Sequence, residues 1–274
     1  MNYKNIGKSI NFVAMLSLSL AQKLSFKLFT SPRPRKQKPK EIAFLNTSTK
    51  RAISLDGQKI QTYIWGNSDK KVLFSHGWES NAGRWRSFIP DLVDAGYQVV
   101  AFDAPGHGAS DGKQLHLVIF ISAIQAIFKE FGEFEALVGH SMGAGASVIG
   151  MATKPLPRPK KMVLLGSFSE VSEVYNNYAK MLGLTPKLAP EFNKTIKRLS
   201  GYDVSYFSVA EKAKMLQNIQ GLIIHDKQDK TIAVQGARHI AKSWSSAKYI
   251  ETDGAGHSLQ NEMIFKEVIS FIKG

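Results

Sequence analysis

The stretch Val138–Ser147 reads VGHSMGAGAS, and residues 139–143 form the pattern G-x-S-x-G around Ser141. The pattern alone is weak evidence, because glycine and serine are common residues. Its surroundings add weight, since an apolar run at 134–140 predicts a strand and the small residues after Ser141 predict a helix packed closely on a sheet. We therefore consider two hypotheses for Ser141: a catalytic nucleophile in a tight strand-to-helix turn, or the N-cap of a turn that needs glycine.

Short apolar segments alternate with helical patterns along the rest of the chain. The predicted strands are 51–55, 59–65, 70–76, 97–103, 134–140, 160–167, 220–226 and 247–253, and the predicted helices are 83–95, 114–131, 231–245 and 260–273. This alternation predicts a mostly parallel sheet covered by helices on both faces. Residues 168–219 break it with helical pieces interrupted by glycine and proline, which predicts a helical cap inserted into a domain spanning 41–274.

A nucleophilic serine needs a base, and the chain contains seven histidines. His257 is the preferred base because it follows a predicted strand in a glycine-containing loop, whereas strand alternation directs the neighbouring His140 away from the serine. Asp229 is the preferred carboxylate to orient the base, because it lies three residues further into its loop than Asp226. Glu170 is a more distant alternative.

The chain order of the three preferred residues is Ser141, Asp229, His257, which is the order of serine, acid and histidine that accompanies a nucleophile elbow. A serine hydrolase also needs two backbone N–H groups for the oxyanion. Met142 directly follows the serine, and Trp78 lies in an earlier His-Gly loop after a predicted strand. We predict that these two residues supply the N–H groups.

Five motifs together resemble those of the α/β-hydrolase superfamily over about residues 52–274: SHGWES, FDAPGHGAS, GHSMG, HDKQD and GAGHS. The resemblance implies an α/β fold with an eight-stranded, mostly parallel sheet covered by helices on both faces, and a helical cap after the sixth strand. It implies Ser141 as nucleophile, Asp229 as acid and His257 as base, and it gives FDAPGHGAS a structural role in the site floor. One departure is Asp226, where the superfamily often has glycine after the histidine that ends the seventh strand.

The resemblance and the residues predict a serine hydrolase that cleaves a small-molecule carboxylic ester or thioester, with no metal or organic cofactor. A serine at the elbow argues against dehalogenase or epoxide hydrolase chemistry, which in this superfamily uses aspartate. Gly77, Tyr175 and Tyr178 are predicted to contact substrate, although the two tyrosines fit equally well in the core of the cap. Two other hypotheses stay open: a non-catalytic module that keeps the pocket for a ligand, and a scaffold that binds through its basic arm.

Charge is concentrated in an N-terminal arm. Residues 1–51 contain eleven lysines and arginines and a single acid, Glu41, within a chain of 274 residues and net charge +14. The absence of cysteine excludes disulfides, cysteine-ligated metals and a cysteine nucleophile.

The arm, residues 1–40, combines an apolar stretch with a basic one. The apolar run at 10–20 is shorter than the roughly 20 residues that cross a bilayer, and its spacing, continued to Leu28, predicts an amphipathic helix. The run SPRPRKQKPK at 31–40 predicts an extended basic linker without the aromatic residues that nucleic-acid binding favours. We expect a helix on an anionic membrane surface or docked on the domain, with a cleaved signal peptide and a tilted anchor as alternatives.

From this arm we expect the protein to be cytoplasmic and peripheral at the inner membrane, with secretion as the alternative. The basic, helical extension resembles that of bacterial members of the superfamily with no assigned substrate.

Overall fold

The computed structural model describes residues 3–33 and 36–274. Its strands are β1 Thr49–Leu55, β2 Gln58–Trp65, β3 Lys71–Ser75, β4 Gln98–Phe102, β5 Ala136–His140, β6 Lys161–Leu165, β7 Gln220–Asp226 and β8 Ala247–Thr252. Its α-helices are α1 Tyr3–Leu16, α2 Leu18–Thr30, α3 Pro39–Leu45, α4 Ile89–Asp94, α5 Leu117–Phe131, α6 Met142–Thr153, α7 Val171–Leu182, α8 Leu188–Ser200, α9 Val209–Ala213, α10 Val234–Ser243 and α11 Glu262–Lys273.

The strands form one sheet in the order β1-β2-β4-β3-β5-β6-β7-β8. Strand β2 is antiparallel to β1 and β4, and the pairings from β4 to β8 are parallel. This arrangement confirms the predicted eight-stranded, mostly parallel sheet.

The sheet has an apolar core on each face, because successive side chains of a strand point to opposite sides. Leu73 and Leu137 lie in the core with α5 and α6, whereas Val72, Phe74 and Val138 lie in the core with α4 and α11. Both faces of the central strands are therefore buried, which explains their continuous apolar sequences. The loops after the parallel strands meet at one edge of the sheet, where ligands bind in folds of this type.

Helices α7, α8 and α9 lie between β6 and β7, within the range predicted as a cap. The N-terminal helices α1 and α2 contact one another and pack on this region, α1 against α7 and α2 against α8. We call α1 and α2 the helix pair. The prediction of one continuous amphipathic helix was wrong, because Ser17 adopts an extended backbone and its hydroxyl accepts a hydrogen bond from the Leu20 N–H, 3.3 Å away, to begin α2.

The predicted linker at 31–40 contains Pro34 and Arg35, which lie outside the described residues. Its last two residues are helical, because Pro39 occupies the first turn of α3, where a missing N–H costs nothing. Within residues 3–33 and 36–274, no helix combines the length and the hydropathy needed to span a membrane.

Candidate active site

Ser141 lies in a strained turn between β5 and α6. Its backbone has φ 52° and ψ −116°, a conformation that costs a side-chain-bearing residue about 1–3 kcal/mol. Two glycines allow the turn: a Cβ on Gly139 would lie 2.5 Å from the Ala144 Cα, and one on Gly143 would lie 2.4 Å from the His76 carbonyl oxygen. The G-x-S-x-G pattern is therefore required by close backbone approach, and the turn places Ser141 at the helix N-terminus.

The structure brings Ser141, His257 and Asp229 together in a line. The Ser141 hydroxyl donates to His257 Nε2 over 3.1 Å, and His257 Nδ1–H donates to Asp229 Oδ2 over 2.6 Å. The serine is 9% exposed, and the carboxylate side chain is almost fully buried. A base and an orienting acid thus stand within hydrogen-bond reach of the hydroxyl, which is the geometry that activates a serine nucleophile.

Asp229 is held as an ionised acceptor. Burial raises its pKa, but hydrogen bonds from His225, His257 and the Ile232 N–H outweigh burial and hold the pKa below its ordinary value. His225, at the end of β7, has its Nε2 2.9 Å from the Ile232 carbonyl oxygen and 3.3 Å from Asp229 Oδ2. The carboxylate therefore faces two imidazoles, of which only His257 also reaches the serine.

The two alternative acids have other partners. Asp226 accepts hydrogen bonds from the Thr252 hydroxyl and the Ala255 N–H, both at 2.8 Å, and so joins β7 to the loop that carries His257. Glu170 accepts from the hydroxyls of Ser169 and Ser208 beside the cap. Both carboxylates stabilise loops, whereas Asp229 contacts the imidazole.

His140 and Arg84 hold the loop of His257, a role that the sequence did not reveal. His140 Nε2 donates to the carbonyl oxygen of His257 over 2.8 Å, and Arg84 donates to that of Ser258 over 3.0 Å. Arg84 Nη1 also lies 2.5 Å from His140 Nδ1, which fixes His140 as a neutral ring with its proton on Nε2. Burial, then Arg84 and His257, lower the pKa of His140, so the ring stays neutral.

The His-Gly loop lies directly against Ser141. A Cβ on Gly77 would lie 3.0 Å from the Cβ of Ser141, so only glycine fits there. His76 fixes the loop by donating from Nδ1 to the Gly77 carbonyl oxygen and accepting from the Ala104 N–H at Nε2. Because the first N–H groups of a helix have no intrahelical acceptor, that of Met142 is available beside the serine.

The motif FDAPGHGAS forms the floor beneath this loop. Buried Asp103 accepts hydrogen bonds from the Tyr63 hydroxyl and from the N–H groups of Ala82 and Ala109. Burial raises the pKa of Asp103, and these hydrogen bonds oppose it. The carboxylate therefore joins three chain segments, in agreement with the structural role that the resemblance implies.

Tyr175 and Tyr178 lie where the cap meets the helix pair. The ring of Tyr175 stacks on Phe192 with centroids 3.8 Å apart, and the Tyr178 hydroxyl donates to the Ser25 carbonyl oxygen over 3.1 Å. A cleft of about 410 Å³ beside Asp229 is lined by other residues: Asn177, Lys180, Met181, Lys230, Thr231 and Ala233. The structure thus places the tyrosines in an interface between helices, and their contact with substrate stays a prediction.

No group of three or more acidic or histidine side chains that could hold a metal ion occurs in the part of the chain that the structure describes.

Comparison with known proteins identifies the fold and the family of this chain. The esterase EaEST from Exiguobacterium antarcticum superimposes with a TM-score of 0.61 over 83% of this chain and 100% of its own, at 19% identity. That likeness establishes the fold, which is the α/β-hydrolase fold. The model of the family described as serine aminopeptidase, S33, matches residues 66–209. The chain belongs to this family, within the α/β-hydrolase superfamily.

Curated relatives match over shorter segments. A serine hydrolase-like protein of Danio rerio is 29% identical over 154 residues, which is 50% of this chain and 46% of the relative. A non-heme haloperoxidase of Rhodococcus erythropolis is 33% identical over 115 residues, which is 41% of this chain and 42% of the relative. The chain thus spans less than half the length of these relatives.

Proposed function

We propose that the protein is a serine hydrolase that cleaves a carboxylic ester or thioester through an acyl-enzyme on Ser141. The observation that carries the proposal is the line of hydrogen bonds from the Ser141 hydroxyl through His257 to Asp229, at 3.1 and 2.6 Å. The strained backbone of Ser141 supports it, because strain of this kind persists where function requires a fixed side-chain position.

The reaction follows from the positions of these atoms. His257 Nε2 takes the Ser141 proton as Oγ attacks the acyl carbon, and the imidazolium then protonates the departing alcohol or thiol. Water enters, gives its proton to His257 and attacks the acyl carbon, which releases the acid and restores the serine. Asp229, ionised throughout because of its lowered pKa, holds the ring in the required tautomer and stabilises its positive form.

Backbone N–H groups would stabilise the oxyanion of each tetrahedral intermediate. Met142 N–H lies at the start of α6 beside the nucleophile, and Trp78 follows Gly77 in the loop packed against Ser141. Each such donor contributes about 3 kcal/mol to lowering the barrier.

Hydrolysis of p-nitrophenyl acetate, p-nitrophenyl butyrate and an acyl thioester by the full chain tests the proposal. Ser141→Ala should lower kcat/KM by roughly ten-thousandfold or more, because it removes the nucleophile. The matched control is Ser147→Ala, six residues further along the chain in α6, where the buried hydroxyl donates to the Gly143 carbonyl oxygen over 2.7 Å. Equal activity of wild type and Ser141→Ala, or no turnover of either substrate class by folded wild type, would overturn the proposal.

A further inference from the structure

The helix pair leaves five large apolar side chains exposed to solvent: Phe12, Met15 and Leu16 on α1, and Leu20 and Leu24 on α2. We call these five residues the apolar tip. Their exposed fractions run from 43% for Leu24 to 82% for Met15. Within each helix they lie at helical spacing, three on the last turns of α1 and two on the first turns of α2, on either side of Ser17. Contiguous exposed apolar patches mark interaction sites.

The opposite face of α1 is already bound to the cap. A Cβ on Gly7 would lie 1.7 Å from the Leu182 carbonyl oxygen, so α1 rests on the backbone at the end of α7. The Asn11 amide donates to the Gly183 carbonyl oxygen and accepts from the Thr185 N–H, both at 2.8 Å. The apolar tip is therefore not the surface that attaches the helix pair to the domain.

The two helices that carry the apolar tip also carry four exposed lysines: Lys4, Lys8, Lys23 and Lys27. No acidic residue precedes Glu41 in the sequence. A second copy of this face would bring lysines against lysines, which opposes self-association. A nucleic acid would leave the apolar side chains uncovered. An anionic bilayer can bind both the lysines and the apolar side chains, because its headgroups attract the lysines and its acyl chains bury the apolar side chains.

We propose that the apolar tip inserts into an anionic lipid bilayer and that the flanking lysines bind its headgroups. Helix α1 rests on the end of α7, and Lys180 and Met181 on that same turn line the cleft beside Asp229. Arg33, which follows α2, pairs with Glu79 next to Trp78 at 2.5 Å. Docking thus brings the cleft to the bilayer surface, and the substrate class that this favours, which rests on the proposed function, is an acyl ester taken from the membrane.

Flotation of the full chain with vesicles tests the docking. Wild type should bind equimolar phosphatidylcholine–phosphatidylglycerol vesicles more tightly than pure phosphatidylcholine vesicles. Phe12→Ser/Met15→Ser/Leu16→Ser should weaken binding roughly a thousandfold, because burial of each of the three side chains is worth about tenfold. Replacing the four lysines by glutamine should weaken binding to anionic vesicles about fivefold per lysine. The matched control replaces three exposed apolar residues elsewhere, Leu199→Ser/Met215→Ser/Met263→Ser, and should bind like wild type.

Three outcomes would overturn the docking: no binding of wild type to anionic vesicles, unchanged binding of the triple-serine variant, or a wild-type dimer that the variant loses. Hydrolysis separates the docking from the proposed function. The triple-serine variant should hydrolyse dissolved p-nitrophenyl acetate normally and p-nitrophenyl palmitate in anionic vesicles slowly. Vesicle binding without hydrolysis of either ester by wild type would overturn the hydrolase proposal and leave the docking intact. Equal hydrolysis of the vesicle ester by both proteins would overturn the membrane substrate.

Discussion

In the loops around Ser141, buried histidines and carboxylates point at specific backbone groups, whereas the helix pair leaves five large apolar side chains exposed to water. His76, His140 and Asp226 each connect two chain segments through hydrogen bonds of 2.7–2.9 Å. The helix pair attaches to the cap on its other face, with Gly7 against the backbone of α7 and the Asn11 amide bonded to the Gly183 carbonyl oxygen and the Thr185 N–H.

The two regions differ in which property of the sequence determines their structure. Polar connections fix the geometry of the loops around Ser141, because each buried donor or acceptor that loses its partner costs about 1–3 kcal/mol. The exposed face of the helix pair depends instead on amino-acid composition, because it contains apolar side chains and lysines but no acidic residue. We therefore expect single substitutions to abolish chemistry in the first region and to shift binding gradually in the second.

The largest expected effect is a loss of kcat that distinguishes the role of Asp229 from that of Asp226. Asp229→Asn should lower kcat roughly ten-thousandfold, because an amide disfavours the tautomer of His257 that accepts the serine proton. Asp226→Asn should mainly lower the melting temperature, since Asp226 joins β7 to the loop after β8. Steady-state kinetics with thermal melts measures both, and exposed Asp253→Asn in the same loop is the control. A larger loss of kcat in Asp226→Asn would reverse the assignment of the acid.

The next effect concerns the positioning of His257. Arg84→Met removes the donor to the Ser258 carbonyl oxygen and should lower kcat about tenfold to a hundredfold with little change in KM, because a small displacement of the base is costly. Arg84→Lys should recover part of the loss, and Arg86→Met on the same turn should behave like wild type. A lower melting temperature with unchanged kcat would assign Arg84 to stability alone.

A smaller effect should be confined to the helix pair. Gly7→Ala places a methyl group against the Leu182 carbonyl oxygen and should reduce the opening free energy of α1 by about 1–3 kcal/mol, seen as faster hydrogen exchange there. Gly150→Ala is the matched control, because a Cβ there meets its nearest neighbour at an ordinary 3.7 Å. Hydrolysis of a dissolved ester should be unchanged in both, and a loss in Gly7→Ala would show that the two regions are not independent.

The smallest effect is a dependence of stability on pH. Burial lowers the pKa of His76 and of His140, so the unfolded chain binds protons below about pH 6.5 that the folded chain does not. This contribution is fully present above about pH 6.5 and is lost as pH falls, by at most about 1.4 kcal/mol per pH unit for each histidine. Urea unfolding at about pH 7.5 and 5.5 measures the slope, which His140→Gln should reduce. An unchanged slope would contradict the role of buried neutral His140.

Much of the fold could be predicted from the sequence, and so could the grouping of Ser141, His257 and Asp229, because local chemistry constrains both. Continuous apolar runs predict buried parallel strands, and glycines at 139 and 143 predict a turn that only they allow. Asp229 was preferable to Asp226 because it reaches further from its strand, and the structure places it on His257.

Other features depend on tertiary contacts that leave no sequence pattern. Arg84 meets His140 across 56 positions of the chain, and His140, which strand alternation directs away from the serine, bonds to the carbonyl oxygen of His257 instead. The close contact of Gly7 with the Leu182 carbonyl oxygen joins α1 to α7, two helices that are far apart in sequence. Ser17 lies in an apolar run with helical spacing, and only its hydrogen bond to the Leu20 N–H shows that a new helix begins there.

The most direct test of the account is covalent labelling of the folded full chain with a fluorophosphonate probe, followed by peptide mapping. The account predicts phosphonylation of Ser141 in wild type and in Ser147→Ala, and at least a thousandfold slower labelling in His257→Ala, because the hydroxyl then lacks its base. Labelling at a different serine, or labelling of His257→Ala at the wild-type rate, would contradict the claim that His257 and Asp229 activate Ser141.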